Sequence, residues 1–283
     1  MAREIIINNS RLFKKPVPIF DMIRDSNYGF GFPDPEGRIT TNETDSNAPL
    51  IIFDNQHIGR GVQILDYANP KTAHLVLSLP STEYDVKMLY SFAERIAKYW
   101  KTNTITIEKE AVRLTDITRY QDYDLNMNIH LLGDAVSMFP ENVCLYCATI
   151  PIWCSTKQLS SYADDYNAFA SFLHEKQDIC AYLSTAEYFR FEGHSEAFYV
   201  IFPNEAIILP KQPSLKYNSE NGDGICDNAY ITIVNLFPDE TVSKIEYGSF
   251  ISAISLDKIY EFDLMNNLIQ PLSEIELRQI FRP

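Results

Sequence analysis

The clearest pattern of apolar and polar positions in the chain runs from Gly61 to Glu108. Two segments, Gly61–Tyr67 and Ala73–Leu79, read as extended strands. Asn69-Pro70-Lys71 between them is a turn signal, so the pair is expected as an antiparallel hairpin. Pro80 stops the second strand, and Thr82 with Asp85 three positions later has the spacing of a capping box. From there Val86, Leu89, Tyr90, Ala93, Ile96, Ala97 and Trp100 recur at three- and four-residue steps. That period predicts a helix over Glu83–Lys101 with one apolar stripe. A third strand, Thr104–Glu108, follows. The stripe has to be buried, and the flanking strands are the nearest apolar surface.

The same alternation extends both ways. Upstream, Arg3–Asn8 reads as a strand, Ile19–Asp25 as a short helix and Leu50–Phe53 as a short apolar strand. Tyr28-Gly29-Phe30-Gly31-Phe32 is either a strand whose glycines admit a close neighbour or an aromatic loop. Pro33 to Pro49 is a long polar loop. After Glu108 the chain turns polar and irregular through Arg119-Tyr120-Gln121-Asp122-Tyr123-Asp124, and a boundary is expected there.

Beyond it, Val143–Ile150 predicts a strand, and Leu159, Tyr162, Ala163, Tyr166, Phe169, Ala170 and Leu173 a second amphipathic helix. Glu187–Glu192 and Ala197–Phe202 predict a hairpin, and Ala206–Leu209 a further strand. Pro210 to Gly224 is a second long loop. Tyr230–Phe237 fits helix or strand and is read as a helix; Ile245–Tyr247 ends a strand before a short helix around Phe250. Ser273 with Glu276 opens a terminal helix through Ile280. The expected fold is α+β, with mixed and antiparallel sheets and helices packed on one face. It is expected in two similar-sized halves, 1–125 and 126–283, either separate or continuous.

Charge changes the picture of the second half. The formal net charge is −14, from 24 Lys+Arg and 38 Asp+Glu. Residues 1–125 hold 15 basic and 17 acidic residues, a net of −2, and residues 126–283 hold 9 and 21, a net of −12. A field of that sign repels nucleic acid and anionic membranes and favours a basic partner. With 17 Phe and 17 Tyr the chain is also rich in the aromatics that interfaces use. Ten glycines leave little from which to build phosphate loops. No apolar run approaches the roughly 20 residues of a membrane span, and Arg3–Ile7 is too short for a signal core. Five cysteines, an odd number, point to free thiols in a reducing cytoplasm.

No stretch is specific for a reaction. In Cys144-Leu145-Tyr146-Cys147 the two thiols are read on one strand, where residues three apart leave opposite faces, so neither zinc nor a redox dithiol is expected. His57, His74, His130, His174 and His194 are scattered without a ligand spacing. Gly59-Arg60-Gly61 precedes a strand rather than a helix, and is read as a tight turn with an exposed Arg instead of a phosphate loop. Asn221-Gly222-Asp223-Gly224 lacks the carboxylate series of a calcium loop and reads as a hairpin turn. Asp164-Asp165 is read as a solvated face of the second helix. No cofactor and no catalytic residue is expected.

Four stretches together resemble a bacterial domain-of-unknown-function family of similar length, the 4299 family, found mostly in Gram-positive species. They are Gly59-Arg60-Gly61-Val62-Gln63-Ile64, the strand–Pro80-Ser81–helix unit, Ile207-Ile208-Leu209-Pro210-Lys211-Gln212-Pro213-Ser214, and Lys244-Ile245-Glu246-Tyr247 with Phe250. The resemblance implies one co-extensive unit in the cytoplasm, with no established activity and no catalytic residues to carry over. The functional expectation is a non-enzymatic interaction protein whose acidic second half binds a basic partner, as an immunity protein binds a toxin. Glu187, Glu192 and Glu196 around the hairpin, and Glu220, Asp223 and Asp227 around the second loop, are the expected binding residues. The alternative is an enzyme or small-molecule binder with dispersed residues in a cleft between the halves.

Overall fold

The computed structural model describes residues 1–33, 39–40, 49–191, 194–217, 224–237 and 240–282. Its contacts divide the chain into two compact units, Met1–Ile179 and Cys180–Pro283. The charge step at residue 125 does not coincide with that division and falls inside a helix.

The first unit comprises β1 (Ala2–Asn8), α1 (Ile19–Asp25), β2 (Tyr28–Pro33), β3 (Ile39–Thr40), β4 (Leu50–Asp54), β5 (Val62–Leu65), β6 (Thr72–Ser78) and α2 (Glu83–Trp100). It continues with β7 (Thr104–Ile107), β8 (Glu110–Arg113), α3 (Ile117–Gly133), α4 (Ala135–Met138), β9 (Asn142–Leu145), β10 (Ile152–Ser155), α5 (Thr156–Ser161) and α6 (Tyr166–Gln177). Eight strands form one sheet in the order β3-β2-β4-β5-β6-β1-β7-β8. Each of its pairings is antiparallel. The expected β5–β6 hairpin is present, and Ile5 on β1 lies opposite Leu75. Val62, Ile64, Ala73, Leu75, Leu77, Ile5 and Ile7 are all buried, and α2 lies against these strands. Its stripe is fully enclosed: Val86, Leu89, Ala93, Ile96, Ala97 and Trp100 have no exposed surface. The Thr82–Asp85 capping box forms, and Lys101 ends the helix in the left-handed region.

Four local readings change in this unit. The segment Arg119–Asp124, expected as an irregular boundary, belongs to α3. The inward positions of that helix include Asp124 and Asn128, and two polar residues there hid its period. Strand alternation puts Arg3 on the inner face with Ile5. Its Nε donates to Asp124 Oδ2 at 2.8 Å, its second guanidinium nitrogen donates to Oδ1, and the Tyr90 hydroxyl donates to Oδ2 at 2.6 Å. Second, Arg60 is buried, not exposed: its side chain donates to the carbonyls of Tyr146 and Pro80, each at 3.1 Å. Burial pushes the guanidinium below its ordinary value, against the pull of Cys147 and Asp85. Third, the second amphipathic stripe is broken into α5 and α6; Asp165 is the N-cap of α6, accepting from Ala168 N, rather than part of a helix face. Cys144 stands in β9 but Cys147 lies past its end, buried, with burial pushing its thiol up.

The second unit comprises β11 (Ala181–Leu183), β12 (Glu187–Phe191), β13 (His194–Val200), β14 (Ala206–Pro210), β15 (Lys216–Tyr217) and β16 (Gly224–Ile225). After these come β17 (Asn228–Phe237), β18 (Glu240–Glu246), α7 (Tyr247–Ala253), β19 (Ile259–Glu261), β20 (Asn266–Ile269) and α8 (Glu274–Phe281). Two four-stranded sheets result, β11-β14-β20-β19 and β12-β13-β17-β18. Both are mixed, since β11 runs parallel to β14 and β13 parallel to β17. The Tyr230–Phe237 segment is thus a strand, not a helix. A short β-branched run carries no decisive period, and pairing on both sides settles it. Ala197, Tyr199, Ile201, Ile231 and Ile233 form one core with Phe250 of α7 and Leu277 of α8. No described helix is long and apolar enough to cross a membrane.

The terminal capping box carries a pH signature. Glu276 is held down to about 2 by the ammonium of Lys258 and by the backbone and hydroxyl donors of Ser273. A carboxylate depressed in the folded state stabilises above its unfolded value, about 4.3, and that contribution is lost as pH falls toward the folded value. Glu276→Gln is therefore expected to lower the urea midpoint at pH 7. The gap to wild type should narrow as pH drops below about 4, and a pH-independent gap would contradict the assignment.

Candidate functional site

Alternation along β13 sends Ala197 and Tyr199 inward to the helices and Glu196, Phe198 and Val200 to the opposite face. The strand register extends that outer face across the sheet. Glu187 lies opposite Phe198, Phe198 opposite Tyr230, and Tyr230 opposite Glu246. In the neighbouring rows Phe189 lies opposite Glu196, and Thr232 opposite Lys244.

The rings on this face touch one another. Phe189 and Phe198 meet edge to face at 5.5 Å, and Phe198 stacks with Tyr230 at 5.8 Å. The Lys244 ammonium lies 4.4 Å from the Tyr230 centroid and 3.4 Å from the Glu196 carboxylate. Phe189 is 57% exposed, Val234 52% and Val242 54%, while Phe198 and Tyr230 between them are half-buried. Carboxylates edge it: Glu187 is exposed, Glu196 is half-buried, and Glu246 caps α7. The hydroxyl and backbone N–H of Ser249, with Gly248 N, hold the Glu246 carboxyl below its usual range, and it is charged at neutral pH.

Of the expected binding residues, Glu187 and Glu196 share this aromatic face. Asp227 stands at the end of the sheet next to β17, exposed, accepting from Ser195 N at 3.3 Å and 3.5 Å from His194 Nδ1. Glu192, Glu220 and Asp223 lie outside the described residues. Phe189, Phe198, Tyr230 and Lys244 were not singled out from the sequence. Alternation within β12 and β13 carries the first two, but Tyr230 and Lys244 join them only once β17 is known to be a strand.

A second arrangement lies wholly within the first unit. His57 and His174 come to 6.4 Å between ring centroids in a cleft of about 420 Å³ that Glu83, Tyr84 and Glu175 also line. The His57 ring stacks on Tyr84 at 3.7 Å, and His174 Nδ1 accepts from Ile58 N at 3.2 Å. Neither imidazole is hydrogen-bonded to a hydroxyl or thiol among the described residues. Among those residues no group of three or more His, Cys, Asp or Glu is placed to hold a metal ion.

The family model described as Domain of unknown function (DUF4299) matches residues 2–280 of the 283, and the chain belongs to that family. No curated protein and no solved structure matches the chain.

Proposed function

We propose that this member of the DUF4299 family is a non-enzymatic interaction protein that binds a basic partner, in the manner of an immunity protein, on the outer face of the β12-β13-β17-β18 sheet. The observation that carries the reading is the joining of touching aromatic rings, Phe189 exposed and Phe198 and Tyr230 half-buried, with carboxylates on that face. Single exposed apolar residues are ordinary, but touching aromatics edged by charged side chains, the carboxylates of Glu187, Glu196 and Glu246 with the Lys244 ammonium among them, have the anatomy of an interface, apolar at the centre and charged at the rim. The His57–His174 cleft supports the alternative, a small-molecule site, less far, because among the described residues neither ring is hydrogen-bonded to a hydroxyl or thiol that it could activate.

The test uses a fluorescent peptide alternating Lys with Leu and its anisotropy on titration with the protein. Binding should weaken steeply between about 0.1 M and about 1 M salt as screening shortens. Phe189→Ala with Phe198→Ala, and separately Glu187→Lys with Glu196→Lys, should each weaken it about tenfold or more. Equal affinity in wild type and both variants would remove the reading.

A further inference from the structure

The sequence is acidic overall, yet Arg11-Leu12-Phe13-Lys14-Lys15 places three cations and two large apolar residues in five positions between β1 and α1. Both ends of this loop are fastened. At its start the Asn9 amide donates to Pro70 O at 2.8 Å and its oxygen accepts from Arg11 N at 3.0 Å. The Ser10 hydroxyl donates to Trp100 O at 3.1 Å, and the Arg11 guanidinium donates to Tyr99 O while lying 4.8 Å over the Tyr99 ring. At its far end the indole N–H of the buried Trp100 donates to Lys15 O at 3.0 Å. Between these clamps Leu12 is 89% exposed and Phe13 81%, with Lys14 and Lys15 also exposed.

Two apolar side chains held in water by an anchored loop stabilise nothing within the chain. Held ready in this way, they lose less conformational entropy on binding than a free segment would. Their complement is an apolar surface with acidic edges. An anionic membrane offers the charge, but a net of −14 on the whole chain, these three cations included, opposes approach to it. The Phe189–Phe198–Tyr230 face offers both halves of the match: the exposed ring of Phe189 beside the half-buried rings of Phe198 and Tyr230, and the exposed carboxylate of Glu187, while Glu196 is paired with Lys244. Lys244 over Tyr230 is a case in which these rings already accept an ammonium.

We propose that the Leu12–Lys15 loop of one copy docks on the Phe189–Phe198–Tyr230 face of a second copy, so that the protein assembles with itself. The inference rests on the reading of that face as a binding surface and names its basic partner as another copy of this chain. Loop and face are different patches, so the contact is heterologous; two reciprocal contacts close a dimer, and unreciprocated ones give a ring or an open chain. Phe13 fills the exposed edge of Phe189, and Lys14 or Lys15 reaches Glu187.

Sedimentation velocity of the full chain across a concentration series tests this. Wild type should shift to a multiple of the monomer mass as concentration rises, and less so at high salt. Leu12→Asp with Phe13→Asp, and separately Phe189→Asp, should each raise the apparent dissociation constant about tenfold or more. All three positions are exposed, and far-ultraviolet circular dichroism checks that the variants fold. Mixing the two variants should restore a heterodimer, because one retains an intact face and the other an intact loop. A wild type monomeric at every concentration, association that survives either variant, or a mixture without rescue would overturn the proposal. Flotation with phosphatidylserine vesicles that depends on Leu12 and Phe13 would also overturn it, assigning the loop to a membrane. If the Lys–Leu peptide still binds while the chain stays monomeric, only self-assembly fails; if the peptide binds wild type and face variants equally, the underlying reading fails.

Discussion

Asp85→Ala is expected to destabilise the protein by roughly 3–5 kcal/mol, the scale of breaking a buried charged network. Asp85 is 1% exposed and does two jobs. As part of the capping box its oxygen accepts from the backbone and hydroxyl of Thr82, and the Ser81 hydroxyl donates to it at 2.8 Å. Across the unit the same carboxylate accepts from the backbone N–H groups of Arg60 and Gly61, each at 3.0 Å. Removing it strands these donors where water does not reach, at about 1–3 kcal/mol for each left without an acceptor. The turn itself is shaped for the contact. A Cβ on Gly59 would stand 2.2 Å from Asp85 Oδ2, and Gly61 has a φ of +71°, which favours glycine. Asp85→Asn should recover part of the loss at most, because its amide turns two donors toward donors. Urea unfolding followed by fluorescence reads both variants, and an Asn variant as stable as wild type would show that the charge is not required.

Leu89→Ala should cost roughly 2–5 kcal/mol, from lost transfer energy and the residual cavity. Leu89 has no exposed surface and sits mid-helix with Val86, Ala93 and Ile96 against the eight-stranded sheet. The spread in cost reflects how far neighbours can relax, and a layer clamped by strands on one side relaxes little. Lys87→Ala, on the solvent side of the same helix, should change stability by no more than about 0.5 kcal/mol. The two variants together separate loss of packing from loss of helix propensity, since alanine is the better helix former in both. A Leu89→Ala midpoint indistinguishable from that of Lys87→Ala would mean that α2 is not what the sheet is packed on.

What the sequence determined alone is what local chemistry encodes. The β5–β6 hairpin, the Thr82–Asp85 cap and α2 are legible because their turn, cap and apolar period all lie within about a dozen residues of one another. The second capping box at Ser273 and Glu276 is legible for the same reason. Tertiary structure decided the rest wherever a residue's partner is far along the chain. Asp124 turns inward because Arg3, 121 positions away, meets it, and without that partner α3 reads as a polar linker. Arg60 is buried because carbonyls at Tyr146 and Pro80 receive it, and no local pattern announces them. β17 becomes a strand because β13 lies parallel to it and β18 antiparallel, and a β-branched run has no period with which to say so. The candidate site is of this second kind. Glu187 and Glu196 could be named from charge and alternation, but Phe198, Tyr230 and Lys244 share one face only because register aligns β13 with β17, more than 30 residues further along, and β17 with β18, and register is a property of the folded sheet.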